Sequence, residues 1–155
     1  MIVKFIYTIF LGILVALFVG LGIDTFYQAP ERPEYPVELR SMTPEKEKSA
    51  EFNQLREQYE KEQQKHQEQR ADYNRNVSII AIASSILLLV VSLTFLGQIK
   101  IIADGVLLGG VFTAVYSIIR GLMTDLTQFR FLIVAAGLVI ALVLGYIKFV
   151  KPDKK

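Results

Sequence analysis

The side chains best suited to do chemistry in this chain are hydroxyls set among apolar residues. Ser78, Ser85 and Ser92 follow one another at intervals of seven residues, which places them on one face of a helix. The next apolar stretch carries a second polar face with Thr113 and Ser117. Such faces either bond to backbone carbonyls between packed helices or line a water-filled path. The sequence leaves both uses open.

Charged side chains lie only at the ends of the apolar stretches. Asp104 follows Lys100 by four residues, which favours a local ion pair at a membrane surface; a gate or ion-contact site is the alternative. We expect Arg120 and Arg130 to anchor helix ends at the opposite headgroups. Ionisable groups near the middle of a span are typical of proton and ion relays, so a coupled transporter is disfavoured.

The sequence contains no recognisable catalytic or metal-binding constellation. It has no cysteine and one histidine, His66, whose neighbours do not supply the further ligands that a metal site needs. It has no phosphate-binding glycine loop, no Ser-His-Asp set and no carboxylate pair within the apolar stretches. We therefore expect no enzymatic activity and no cofactor. No basic stripe occurs, so we expect no nucleic-acid partner.

Apolar and charged residues are segregated into blocks. Hydrophobic residues make up 52% of the chain and charged residues 21%. Four blocks are apolar over roughly 17 to 20 residues, the length that crosses a hydrocarbon core of about 30 Å. The blocks are 5–23, 77–96, 101–119 and 131–147. The predicted fold class is all-α, an integral membrane bundle of four transmembrane helices whose second helix extends as a long extramembrane stalk.

Two segments precede the stalk. Residues 1–23 form the first transmembrane helix, and we interpret them as an uncleaved signal-anchor because the apolar stretch is long and no A-x-A-like site follows. Residues 24–44 form a Pro/Tyr-rich strap, which proline keeps extended. Its P-x-x-P spacings fit an SH3-type ligand, but we favour a stiff spacer laid against the next helix.

The stalk, residues 45–76, is predicted to continue without a break into the second transmembrane helix. It is rich in helix-forming Glu, Lys, Gln and Arg, and no Gly or Pro occurs between Pro44 and Gly97. Thr43, Pro44 and Glu45 provide a helix start, and Gly97 a C-cap before a tight connection. The predicted segments after the stalk are the second transmembrane helix (77–96), the third (101–119), a loop (120–130), the fourth (131–150) and a basic tail (151–155).

One face of the stalk carries half of a coiled-coil seam. Its members are Phe52, Leu55, Tyr59, His66 and Tyr73; the seam is apolar at the outer end and polar toward the membrane. We expect the strap, with Tyr27 and Tyr35, to cover the apolar end; a partner protein is the alternative. His66 is interpreted as a solvated member of the seam.

Small residues recur at every fourth position on three of the predicted transmembrane helices. They are Gly12, Ala16 and Gly20, then Gly105 and Gly109, then Gly137, Ala141 and Gly145. Such faces allow close backbone approach, which drives helix association in lipid. We expect most of them to pack within the chain, with at least one left for a neighbouring subunit.

These patterns predict a small non-catalytic membrane protein that assembles with itself or binds a partner. The stalk would be the recognition surface and the small-residue faces the packing surface. The alternative is a homo-oligomeric passive channel lined by the second and third transmembrane helices. Lys4 and the lysine-rich tail favour cytoplasmic N- and C-termini, with the stalk outside the plasma membrane.

Overall fold

The computed structural model of the chain describes residues 2–37, 50–94 and 99–150, except for the side chain of Phe149. Within these ranges the regular secondary structure is helical, as predicted, and no strand is present. The elements are α1 (Ile2–Phe26), α2 (Ala50–Thr94), α3 (Lys100–Leu122), α4 (Thr127–Gly145) and a π-helical turn that follows α4 (Tyr146–Val150). The predicted helix start at 43–45, the Gly97 cap and the basic tail lie outside the described residues.

Four helices among the described residues are long and apolar enough to cross a membrane. Their ends do not coincide with the ends of the apolar blocks. In α1, the backbone N–H of Tyr27 still donates to the carbonyl of Ile23 over 2.8 Å, and the hydroxyl of Thr25 donates to the carbonyl of Leu21 over 2.7 Å. Backbone hydrogen bonding, rather than hydropathy, therefore decides where α1 ends.

The longest element is α2, which has 45 residues and a length on the order of 70 Å at 1.5 Å per residue. Its sequence changes from charged to apolar near Asn76, and the helix continues through that change. Both halves are built from residues that tolerate a helix, and neither contains Gly or Pro.

The chain divides into two compact units, and α2 contributes to both. The bundle unit comprises Met1–Gln28 and Asn74–Lys155, and the strap unit comprises Ala29–Tyr73.

In the bundle unit, α3 is the helix that packs against both α1 and α4. Its buried residues are all small: Gly105, Gly109, Gly110, Thr113, Ala114, Ser117 and Gly121. Small side chains let neighbouring backbones come close, and this close contact supplies the van der Waals energy that holds helices together where no water is expelled.

The connection between α3 and α4 is a tight turn, shorter than the predicted loop. The backbone N–H of Met123 donates to Arg120 O over 3.1 Å, and the hydroxyl of Thr124 donates to Gly121 O over 2.9 Å. Arg130 Nε reaches back from α4 to Thr124 O over 2.6 Å. The first two bonds use the last carbonyls of α3, which have no partner inside the helix, and the third ties the turn to α4.

Candidate functional site

The serine face of α2 lies directly against α3. Each of its three serines donates a hydrogen bond to a backbone carbonyl of α3: Ser78 to Ser117 (2.8 Å), Ser85 to Gly110 (2.8 Å) and Ser92 to Ala103 (2.7 Å). Each step of seven residues forward along α2 is matched by seven residues backward along α3. The two helices are therefore antiparallel. The seven-residue spacing keeps this row of serines and carbonyls, the α2–α3 seam, in register over four turns.

The bond at one end of this seam is reciprocal. The hydroxyl of Ser117 donates to the carbonyl of Ser78 over 2.7 Å, while Ser78 donates to Ser117. The remaining predicted hydroxyl, Thr113, donates to Gly109 O within its own helix over 2.8 Å. Ser78, Ser85 and Ser117 have 0% of their surface exposed. Among the described residues no buried side-chain polar atom lacks a partner, so this seam is closed and fully hydrogen-bonded within one chain.

Glycines of α3 receive side chains from α1. A Cβ at Gly105 would lie 2.6 Å from Leu11, and one at Gly109 would lie 2.6 Å from Val15. Conversely, a Cβ added at Gly12 of α1 would lie 3.0 Å from the side chain of Leu108 in α3. Both helices advance by four residues between the Leu11 contact and the Val15 contact, so α1 and α3 run parallel.

Some positions of the predicted small-residue faces contact another helix, and others contact nothing. Gly137 of α4 receives Ile118, since a Cβ there would lie 2.6 Å from it. Gly20 and Gly145 have nothing within 4 Å, and Ala141 is exposed. Sequence reasoning missed Gly110 and Gly121, which take Leu89 and Ile133. Gly110 lies outside the every-fourth-residue pattern, although it follows Gly109 directly. Gly121 continues that pattern from Gly105 and Gly109, beyond Thr113 and Ser117.

The charged residues at the helix ends have partners from other elements. Asp104 pairs with Lys148 of the π-helical turn over 2.7 Å, instead of with Lys100 as expected. Lys148 lies on the same face of the helix as Ile133, Gly137 and Leu144. Ile133 and Gly137 contact α3, so this face is turned toward α3 and brings the ammonium of Lys148 to Asp104. Both side chains remain about half exposed.

Arg120 belongs to a polar cluster that sequence reasoning did not predict. Its Nε donates to the hydroxyl of Tyr116 over 3.0 Å, and its Nη1 donates to Asn74 Oδ1 over 3.1 Å. Nearby in sequence, Asn76 Nδ2 donates to the hydroxyl of Tyr27 over 2.8 Å. The Arg120 bond joins α2 to α3, and the Asn76 bond joins α2 to Tyr27, the residue that follows α1. The sequence feature that could have indicated these contacts is the pair Asn74 and Asn76, two amide side chains at the border between charged and apolar sequence.

A groove of about 410 Å³ lies between α1 and α3. One wall carries Ala16, Gly20 and Asp24, and the other carries Phe112, Tyr116 and Arg120. Each row advances by four residues, and the two helices are parallel, so the rows run side by side. Both rows become more polar toward the same end. The open side of Gly20 therefore belongs to a groove with an apolar end and a charged end.

In the strap unit, the charged part of α2 has one covered face. Between residues 50 and 70 the only side chains that are not exposed belong to four residues of the predicted seam: Phe52, Leu55, Tyr59 and His66. Tyr73, at the end of the seam, is buried.

The described part of the strap, which ends at residue 37, lies along this face of α2 and runs in the opposite direction to the helix. The ring of Tyr35 meets that of Tyr59 edge to face, with centroids 5.1 Å apart, and His66 Nε2 lies 3.4 Å from the carbonyl oxygen of Pro30. Pro30, Pro33 and Pro36 are half-buried and the residues between them are exposed, which is the three-residue period of a polyproline helix. The proline face that an SH3-type receptor would read is therefore partly covered.

An ion pair on the exposed side of α2 shifts the titration of one carboxyl. Lys61 Nζ lies 2.8 Å from Glu57 Oε1. The hydrogen bond from Lys61 and its charge together hold the pKa of Glu57 below its ordinary value of 4.5. The pair is fully solvated and is typical of a charged helix surface.

Comparison of the chain with protein-family models, with curated proteins and with solved structures found no match. Its candidate function therefore depends on the geometry of its own residues. Within the described residues no group of three or more acidic, histidine or cysteine side chains could hold a metal ion.

Proposed function

We propose that this protein is a multi-pass membrane protein with a structural, partner-binding role rather than a catalytic one. In this proposal the α2–α3 hairpin is the rigid core inside the bilayer. The charged part of α2, with the strap on it, is the recognition surface outside the bilayer. The surrounding lipid is one partner, and a second copy or another membrane protein is the other.

The observation that carries the proposal is the contrast between hydroxyl and apolar surface in the bundle unit. The hydroxyls that a pore would need are bonded to backbone carbonyls of the same chain. The large side chains that face outward are apolar, among them Phe18 at 80% exposure and Leu142 at 65%. A surface of this kind is suited to lipid or to another apolar helix, so the channel alternative has the weaker support.

The strap unit supports the recognition role. Only one face of its helix is covered, and the opposite face presents Glu, Lys, Arg and Gln side chains. These include the ion pairs Arg56–Glu60 and Lys61–Glu57. Complementary charges on a partner would steer its approach and set its register.

The deciding experiment is to reconstitute the purified protein and measure its mass and its ion flux. We expect flux at the background of protein-free liposomes, since the hydroxyl seam is closed. If the protein self-associates through α4, Gly145→Leu should reduce its mass in nanodiscs toward that of one chain. Gly22→Leu is the matched control, because nothing lies within 4 Å of either glycine. Flux that is blocked by Ser85→Leu would replace the proposal with the channel.

The orientation can be tested separately with single cysteines, since the chain has none. An impermeant thiol reagent applied to intact cells should label a cysteine at Gln64 and spare one at Asp153. The reverse pattern would place the charged part of α2 in the cytoplasm.

A further inference from the structure

We propose that one end of the bundle unit selects anionic phospholipid, the class that includes phosphatidylglycerol, through the ammonium groups of Lys4 and Lys100. We call this end, which also carries Lys148, the lysine end. The inference rests on membrane insertion, which is part of the proposed function. It adds the class of lipid that is bound and the residues that select it.

Lys4 and Lys100 lie at the same end of the bundle unit, on two parallel helices. The helices α1 and α3 contact each other where Leu11 meets Gly105. Lys4 precedes Leu11 by seven residues, which places it about 10 Å beyond this contact along α1. Lys100 precedes Gly105 by five residues, which places it about 8 Å beyond the contact along α3. Both residues are exposed, so their ammonium groups are available at nearly the same level of the bundle.

Lys148 neutralises the carboxylate at this end. Its Nζ lies 2.7 Å from Asp104 Oδ1, on the residue directly before Gly105. Among the described residues Asp104 is the one acidic side chain at the lysine end. Within the same part of the chain, the ammonium groups of Lys4 and Lys100 have no hydrogen-bond or ion-pair partner. The lysine end therefore carries two positive charges that the chain does not compensate there.

The opposite end of the bundle unit is more evenly charged. Its charged residues are Asp24, Arg75, Arg120, Asp125 and Arg130, and each of the three arginines has an interaction within the chain. At the lysine end, by contrast, the sequence continues into the tail 151–155, which adds three lysines and one aspartate. An excess of positive charge at one end attracts anionic lipid to the leaflet that this end meets.

The surroundings of the two lysines favour a membrane lipid over a soluble anion. Val3 and Phe5 flank Lys4, and both are exposed. Ile99, which is also exposed, directly precedes Lys100. A lysine in such surroundings keeps its aliphatic stem on apolar surface and extends its ammonium to the headgroup layer. A lipid phosphate with net negative charge suits that ammonium, whereas the choline cation of phosphatidylcholine offsets its own phosphate.

The test is lipid retention by the purified protein in detergent, measured by native mass spectrometry. The protein is incubated with equal amounts of phosphatidylglycerol and phosphatidylcholine that have identical acyl chains. We expect the first bound lipid to be phosphatidylglycerol roughly five times as often as phosphatidylcholine, the effect of about one lysine near an anionic headgroup. Equal retention of the two lipids, or more phosphatidylcholine, would overturn the inference.

A competitor separates lipid from a soluble anion. Inorganic phosphate added during the incubation, at the ionic strength of a chloride control, should leave the ratio of the two lipids as it is in chloride. A ratio that phosphate lowers and chloride does not would indicate a site for a small anion, and the inference would be wrong.

The double variant Lys4→Gln/Lys100→Gln should bring the two lipids close to equal retention. Because neither ammonium has a partner to lose, the fold should be unaffected. The matched control is Lys61→Gln/Lys65→Gln, which removes the same charge from exposed positions of the strap unit and should leave the ratio unchanged. Lys4→Arg/Lys100→Arg should keep the preference. A preference that survives in the double Gln variant, or that the control lowers equally, would refute the assignment to the lysine end.

The pair formed by Asp104 and Lys148 supplies changes of opposite sign. Asp104→Asn should raise the preference for phosphatidylglycerol, since it removes the carboxylate and releases the ammonium of Lys148. Lys148→Gln should lower the preference, since it leaves the carboxylate uncompensated. The reverse order of these two variants would contradict an electrostatic origin of the preference at this end.

Failure of this inference differs from failure of the proposed function. A protein that stays in the membrane fraction but retains both lipids equally would contradict the lipid preference alone. A protein that is recovered from cell extracts without detergent would contradict both.

Discussion

Two pairs of helices in the bundle unit bury very different shares of their apolar residues. In the most apolar stretches of α2 and α3, 33% of the residues are buried, against 6% in α1 and α4. The helices that bury more contain the serines and most of the contacting glycines. Those that bury less expose Phe, Leu and Ile.

This difference reverses the usual rule for soluble proteins, in which large apolar side chains mark the core. In lipid, where we propose that this bundle lies, apolar surface gains little by being buried, so contact depends on close packing and on hydrogen bonds between helices. Small and hydroxyl side chains mark the core of this bundle. The comparison therefore predicts that substitutions in the α2–α3 seam cost stability and that matched substitutions on exposed faces do not.

The largest effect is expected at Gly121, where α2, α3 and α4 meet. A Cβ there would lie 2.7 Å from Ile133 and 2.9 Å from Ser78 Oγ. Gly121→Leu should reduce the free energy of unfolding by about 3 kcal/mol through overpacking, as measured by unfolding in mixed detergent micelles. Gly22→Leu is the control and should be near neutral. Equal losses in the two variants would contradict the assignment of the core.

A smaller effect is expected from single hydroxyls. Ser85 donates to Gly110 O of α3, whereas its neighbour Ser84 donates to Ile80 O of its own helix. Ser85→Ala should therefore lower stability by about 1 kcal/mol, the scale of a hydrogen bond between membrane helices. Ser84→Ala should leave it unchanged in the same unfolding assay. If Ser84→Ala were the more damaging of the two, the seam would not be a source of stability.

The smallest effect is expected from the charged part of α2, where the Glu57–Lys61 ion pair is exposed rather than buried between helices. Lys61 lowers the pKa of Glu57, so the pair stabilises the helix at neutral pH, and this contribution is lost as the pH falls through and below 4.5. Helicity measured by circular dichroism should therefore decline slightly on acidification. Glu57→Gln should lack this component of the decline. A contribution that grew on acidification would contradict the sign.

Much of the all-helical fold could be predicted because its signals are local. Heptad spacing placed Ser78, Ser85 and Ser92 on one face, and the covered face of the charged helix follows a 3–4 pattern through Phe52, Leu55 and Tyr59. These inferences need only the period of a helix.

The contacts that could not be predicted depend on which helices meet, and on where along their length they separate. Gly12 and Gly20 look equivalent in sequence, yet one contacts Leu108 and the other borders a groove. The partner of Asp104 is 44 residues away in Lys148, too far along the chain for a spacing rule. The polar contacts of Asn74 and Asn76 likewise require knowledge of which helix ends meet.

The three bonds of the α2–α3 seam also bear on how the hairpin closes. Their partners are separated by 11, 25 and 39 residues along the chain. The entropy cost of closing a loop rises slowly with its length, by about 0.6 kcal/mol for each doubling, and each bond formed shortens the free chain before the next. Closure from the turn outward is therefore favoured, first at residue 103, then at 110 and then at 117. Since a chain is synthesised from its N-terminus, these carbonyls also become available in that order, and the hairpin can close before α4 is made.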